Sequence, residues 1–129
     1  MSSESEVRSR YLALALDARK VIDALIPFVD KGERQGDLDQ SLQDAISSLQ
    51  AVKEKKDIFS PSRNLLAFSE YYEQVRTVKP TEREQIVERL VRVKTQTADL
   101  KQQQDDAFEA IKLLSTIESR ALYYYRPQP

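Results

Sequence analysis

From Thr81 to Arg126 the chain contains neither glycine nor proline, and its apolar residues return every three or four positions. Ile86, Leu90, Val93, Leu100, Phe108, Ile111, Leu114 and Leu122 hold that period, with Thr97 and Gln104 at positions on the same stripe. An α-helix turns once in 3.6 residues, so this spacing predicts one amphipathic helix over 82–125. Thr81-Glu82-Arg83-Glu84 has the form of a capping box at its start. The polar stretch Lys101–Asp106 holds good helix formers and no breaker, which favours continuity through it. Unbroken, the helix is about 66 Å long at 1.5 Å per residue.

The rest of the chain divides into shorter segments of the same kind. Val7, Tyr11, Leu14, Ala18, Val21, Leu25 and Phe28 predict a helix over 5–32, with a kink near Pro27, whose ring crowds the preceding turn. The only two glycines, Gly32 and Gly36, mark the loop that follows. Asp37 with Gln40 resembles a capping box, and Leu38, Leu42, Ala45, Ile46, Leu49 and Val52 carry a second helix over 37–58. Ser60-Pro61 is a strong start signal, because proline fits the first helical position, where a missing N–H costs nothing. Leu65, Phe68, Tyr72 and Val75 then predict a third helix over 61–78, ending before Pro80. Residues 126–129 form a short tail. Residues 1–129 therefore read as a single all-α domain: a four-helix, mostly antiparallel bundle with a long C-terminal helix able to project as a coiled coil.

Composition narrows the chemistry. With no Cys and no His the chain lacks the usual thiolate and imidazole ligands, the common general base and the Ser-His-Asp triad. Paired carboxylates remain, at Asp105 and Asp106 and at Glu84 and Glu88, but off the apolar stripes, where they read as a solvated face. Neither glycine belongs to a phosphate-binding motif. Lys53, Lys55, Lys56 and Arg63 form one small basic group and Arg89, Arg92 and Lys94 another, both interrupted by acids. With 20 basic residues against 21 acidic, no face announces nucleic acid. The expectation is a chain that is not an enzyme, carries no cofactor and no metal, and leaves nucleic acid disfavoured. No apolar run reaches the roughly 18 residues of a membrane span. The polar, acidic start Met1–Glu6 differs from a signal peptide, so the expected location is cytoplasmic or another soluble intracellular compartment.

Binding is the remaining class. The first helix shows Leu12, Leu16 and Ile26 beside its main stripe, and a helix apolar on more than one side needs more than one cover. Phe108, Ile111, Leu114 and Ile117 would lie exposed on a projecting C-terminal arm. Tyr123-Tyr124-Tyr125 cannot all face one core, since neighbours on a helix point about 100° apart. Leu12, Leu16, Phe108, Ile111, Leu114, Ile117, Tyr123 and Tyr124 are thus the candidate partner-binding residues. The expected partner is a helical protein or a second copy forming a homodimer. The expected function is a non-catalytic interaction subunit, structural or adaptor, holding partner helices in a multiprotein assembly. The alternative is a dedicated chaperone for an amphipathic segment of another protein before assembly or export.

Overall fold

The computed structural model describes residues 2–34, 36–54 and 78–125. Among these residues the protein is an all-α bundle of four helices: α1 (Ser2–Lys31), α2 (Leu38–Glu54), α3 (Pro80–Thr95) and α4 (Leu100–Tyr125). The helix expected over 61–78, the Ser60-Pro61 cap, the far end of the second helix, Tyr71-Tyr72 and the tail 126–129 lie outside the described residues, apart from Val78, which is buried.

The expected 66 Å helix is two helices. The chain leaves α3 through Gln96, which sits in the left-handed region at φ 56°, and its N–H donates to the Arg92 carbonyl at 3.1 Å. The Asp99 carboxylate then accepts from the Gln102 N–H at 2.8 Å and starts α4. The break falls before Lys101–Asp106, and that polar stretch stays helical. Thr97 is exposed in the turn instead of lying on an inward stripe. Folding back buries Ile86, Leu90 and Val93 of α3 and Ala107, Ala110, Leu114 and Ile117 of α4 in one core. That burial, at about 25 cal/mol per Å² of apolar surface, outweighs the small cost of one left-handed residue.

Two of the expected starts and stops hold. Gly32 ends α1 at φ +71°, its N–H donating to the Phe28 carbonyl at 2.8 Å. The Asp37 carbonyl accepts the first bond of α2 from the Ser41 N–H. α1 runs through Pro27 as a helix. α3 starts two residues earlier than expected: Pro80 opens it, and Glu82, not Glu84, accepts from the Lys79 N–H at 3.1 Å. Burial pushes the Glu82 carboxyl upward, but its bonds from Arg120 and from the Lys79 N–H outweigh that and hold it below the ordinary carboxylate range.

α1 and α4 form the main layer. Tyr11 stacks on Tyr124, Arg19 pairs with Glu118, the Gln104 amide donates to the Phe28 and Val29 carbonyls, and Gly32 lies against Leu100. Those four contacts run in opposite directions along the two helices, so α1 and α4 are antiparallel. Their shared face is rich in alanine (Ala15, Ala18, Ala107, Ala110, Ala121, all buried), which lets the two axes approach closely. α3 returns along α4, tied by Glu82 to Arg120 and by Arg89 to Asp106. α2 closes the ring between α3 and α1, with Lys94 donating to Gln43 at 2.6 Å. Arg34 fastens the loop end: it donates to the Val93 carbonyl at 3.1 Å, pairs with Asp39 and lies 5.4 Å from the Phe28 ring centroid. A cation suits that carbonyl, at the negative end of the α3 dipole.

Candidate functional site

The outer side of the α1–α4 layer carries the most unusual surface. Leu12, Leu16, Arg19, Asp23 and Ile26 follow one another at steps of three or four, so they share one side of α1. Phe108, Ile111, Ser115, Glu118 and Leu122 do the same on α4. Arg19 belongs to the first row and Glu118 to the second, and they meet at 2.9 and 2.7 Å in a two-pronged pair. The two rows therefore run side by side across one seam. Leu16 is 59% exposed, Phe108 50% and Ile26 42%, while Leu12, Ile111 and Leu122 are half-buried. The strip from Leu12 to Ile26 is about 21 Å long at 1.5 Å per residue.

The strip is apolar at both ends and charged in the middle. Leu12, Leu16 and Leu122 occupy one end, Ile26, Ile111 and Phe108 the other. Between them Arg19 bridges Glu118 and also approaches Asp23 at 3.6 Å. The Glu118 hydrogen bond and charge hold the Arg19 guanidinium above its ordinary value. Lys112 lies 5.3 Å from the Phe108 ring centroid, a cation over an aromatic face.

The structure thus brings four of the eight candidate residues together, Leu12, Leu16, Phe108 and Ile111. It places the others elsewhere. Leu114 and Ile117 are buried in the bundle core, against the expectation of an exposed arm, because α4 packs along its length on α1 rather than projecting. Tyr124 is half-buried and stacks on Tyr11 with ring centroids 5.3 Å apart. Tyr123 is 61% exposed, but it is one residue beyond Leu122 and so turned about 100° from the strip. Ile26 and Leu122 complete the strip. Ile26 was visible as part of the second face of α1; Leu122 could have been found only by knowing which side of α4 meets α1.

A second concave region lies between α1, α2 and α4. Leu14, Val21, Ala45, Leu49 and Leu114 line a groove of about 230 Å³, with Asp17 and Asp44 among its polar residues. α1 is therefore covered by α4 on one side and borders this groove on the other, which accounts for its apolar character around most of its circumference.

Among the described residues the one fully buried carboxylate is Asp106, against the expectation that it lies on a solvated face; Asp105 beside it is exposed. Asp106 Oδ1 accepts from Arg89 at 3.0 Å, from Gln102 at 3.4 Å and from Arg92 at 3.5 Å, while Oδ2 is buried without a partner. Glu88 is exposed and bonded to Arg92, and Glu84 is exposed. Asp106 accordingly joins α3 to α4. Among the described residues no three acidic side chains converge as a metal site would require. No helix among them is long and apolar enough to cross a membrane. No protein-family description, curated protein or solved structure matches the chain.

Proposed function

We propose that the protein is a non-catalytic protein–protein interaction subunit, and that it docks a helical partner on the strip formed by α1 and α4. The observation that carries this reading is the alignment of Leu12, Leu16, Ile26, Phe108, Ile111 and Leu122 on one outer side of the layer. Scattered surface leucines are ordinary, but apolar side chains gathered on one side at both ends of a charged centre are what interfaces present. Covering the exposed halves of Leu16, Ile26 and Phe108 supplies about 1 kcal/mol each, or about 3 kcal/mol for one strip. That is a usable driving force for association, and its loss would be felt.

The test compares the tagged chain with a Leu16→Gln/Phe108→Gln variant, scoring captured proteins by mass spectrometry and including untagged copies of the chain itself. Both side chains are exposed, so helix content by circular dichroism should stay unchanged while capture falls. Equal capture by the two chains refutes the strip. The chaperone reading has one observation in its favour, the apolar groove between α1 and α2. An adaptor is recovered in stoichiometric amount with a finished assembly, whereas a chaperone is recovered with an immature partner alone.

A further inference from the structure

We infer that the end of the bundle where α1 and α3 begin and α4 finishes is a binding site for a small oxyanion, held by Arg83 and Tyr11. The inference is independent of the strip, which lies on the outer side of the α1–α4 layer. Tyr11 on Tyr124 and Glu82 with Arg120 bring those three helix ends together, since Tyr124 and Arg120 are one turn apart on α4. Arg83 extends the inner row Ile86, Leu90 and Val93 of α3 by one turn, and Tyr11 extends the row Ala15, Ala18, Ile22 and Leu25 of α1. Both side chains are more than nine-tenths buried, with 8% and 5% of their surface exposed. Each carries a buried donor that has no partner among the described residues, Arg83 Nε and the Tyr11 hydroxyl. Helical side chains lean toward the start of their own helix, so both donors are directed to this same end.

Burying a guanidinium with no counter-charge is costly, and the cost is recovered when an anion arrives. The backbone adds to the pull. Pro80 opens α3 and Lys79 precedes it. A lysine ammonium has no acceptor, so the Thr81 and Glu82 N–H groups carry no side-chain cap, and they stand at the positive end of the α3 dipole. Anions bind at such helix starts. Two carboxylates share the turn, and neither serves Arg83. Glu82 is taken by Arg120 and by the Lys79 N–H, and Glu84 is exposed, turned about 100° from Arg83. A guanidinium, a phenol and backbone N–H groups together form a set of donors. Their complement is a group made of acceptors alone, a phosphate or a carboxylate. With so little of Arg83 and Tyr11 exposed, the site suits a free ion, not a peptide.

The test follows the thermal midpoint of the full chain by circular dichroism as inorganic phosphate, or acetate in a parallel series, replaces chloride at constant ionic strength. Phosphate should raise the wild-type midpoint saturably. Tyr11→Phe should weaken the anion about tenfold, because it deletes one hydrogen bond to a charged group and little else. Arg83→Met should abolish the response. It should also melt no lower than wild type in chloride alone, since it removes a buried charge that has no partner. A rise with acetate as well supports a site open to any small oxyanion, and a rise with phosphate alone supports a phosphate site. No saturable rise with either anion overturns the inference. So does a rise of the same size in Arg83→Met, which would place the anion elsewhere. An Arg83→Met chain that melts well below wild type in chloride also overturns it, because Arg83 would then have its counter-charge within the protein.

Discussion

Asp106 offers the sharpest test of how the bundle is held together, because its pairing is asymmetric. The carboxylate is fully buried, whereas the Arg89 side chain that donates to it is 32% exposed. Removing one partner of a buried pair costs about 3–5 kcal/mol when the survivor is stranded away from water. Arg89→Ala does that: it leaves Asp106 inside the protein with only the longer Arg92 and Gln102 contacts, at 3.5 and 3.4 Å. The expected loss is about 3 kcal/mol, at the low end of that range because those two contacts persist. Asp106→Ala strands a side chain that can reach solvent. It removes the charge-assisted hydrogen bond from Arg89, about 1.5–3 kcal/mol, and the longer, weaker contacts from Arg92 and Gln102, but it also removes the unpartnered Oδ2, whose burial cost offsets part of the loss. The expected net loss is about 1–2 kcal/mol. Once Asp106 is gone, Arg89 has nothing to hold there, so the double variant should resemble Asp106→Ala alone.

Chemical denaturation of the four proteins, wild type, both single variants and the double, gives the complete cycle. Midpoints should order as wild type, then Asp106→Ala and the double variant together, then Arg89→Ala. An Asp106→Ala chain less stable than Arg89→Ala would refute the reasoning, since it would mean that the longer Arg92 and Gln102 contacts, rather than the pair with Arg89, carry most of what the carboxylate contributes. Additive losses in the double variant would refute it equally.

Glu82 predicts a pH dependence. Its folded carboxyl lies below the ordinary range of about 4.3, so its contribution is complete above that value and is lost as the pH falls through the depressed folded value; Glu82→Gln should flatten this part of an acid-denaturation curve, and an unchanged curve would discount the Arg120 bond. Gly32→Ala should cost about 1–2 kcal/mol from its positive φ alone, with its new Cβ 3.2 Å from Leu100 and 3.4 Å from Gln104; a stability equal to wild type would deny the left-handed exit from α1. Gln96→Gly should do the opposite and stabilise the chain by up to about 1 kcal/mol, since glycine accepts φ 56° without strain; a lower melting temperature would place the cost of that turn elsewhere.

The two turns show why some of this architecture could be read in advance and some could not. Gly32 announces its turn chemically, as a residue suited to positive φ directly after an apolar stripe, and α1 ends where the sequence indicates. Gln96-Thr97-Ala98-Asp99 carries no such mark. Each of its residues is tolerated in a helix, and the 3.6-residue period continues across it, so local propensity and periodicity both favour one long helix. Asp99 followed three residues later by Gln102 is a faint capping signal, with Asp in the place of the usual Ser or Thr. The chain breaks because only a fold-back buries both halves of the stripe, and that gain belongs to the tertiary structure, not to any window of sequence.

The same distinction governs the candidate site. Periodicity identified Leu12, Leu16, Phe108 and Ile111 as apolar residues in excess of one core, which is a property of each helix taken separately. It could not separate them from Leu114 and Ile117, because that depends on which side of α4 lies against α1. Arg19 and Glu118 supply the missing relation: 99 residues apart in sequence, they meet at the seam and show which apolar row is turned inward and which outward. Asp106 illustrates the converse. Its sequence neighbours are polar, yet it is the residue withdrawn from water, because Arg89 and Arg92 on α3 face it once the chain has folded back. A carboxylate one position away, Asp105, stays exposed, so a rotation of about 100° divides a surface charge from a buried one. What the sequence conveys is how much apolar surface each helix must cover; which residues are left over for a partner follows only from how the helices cover one another.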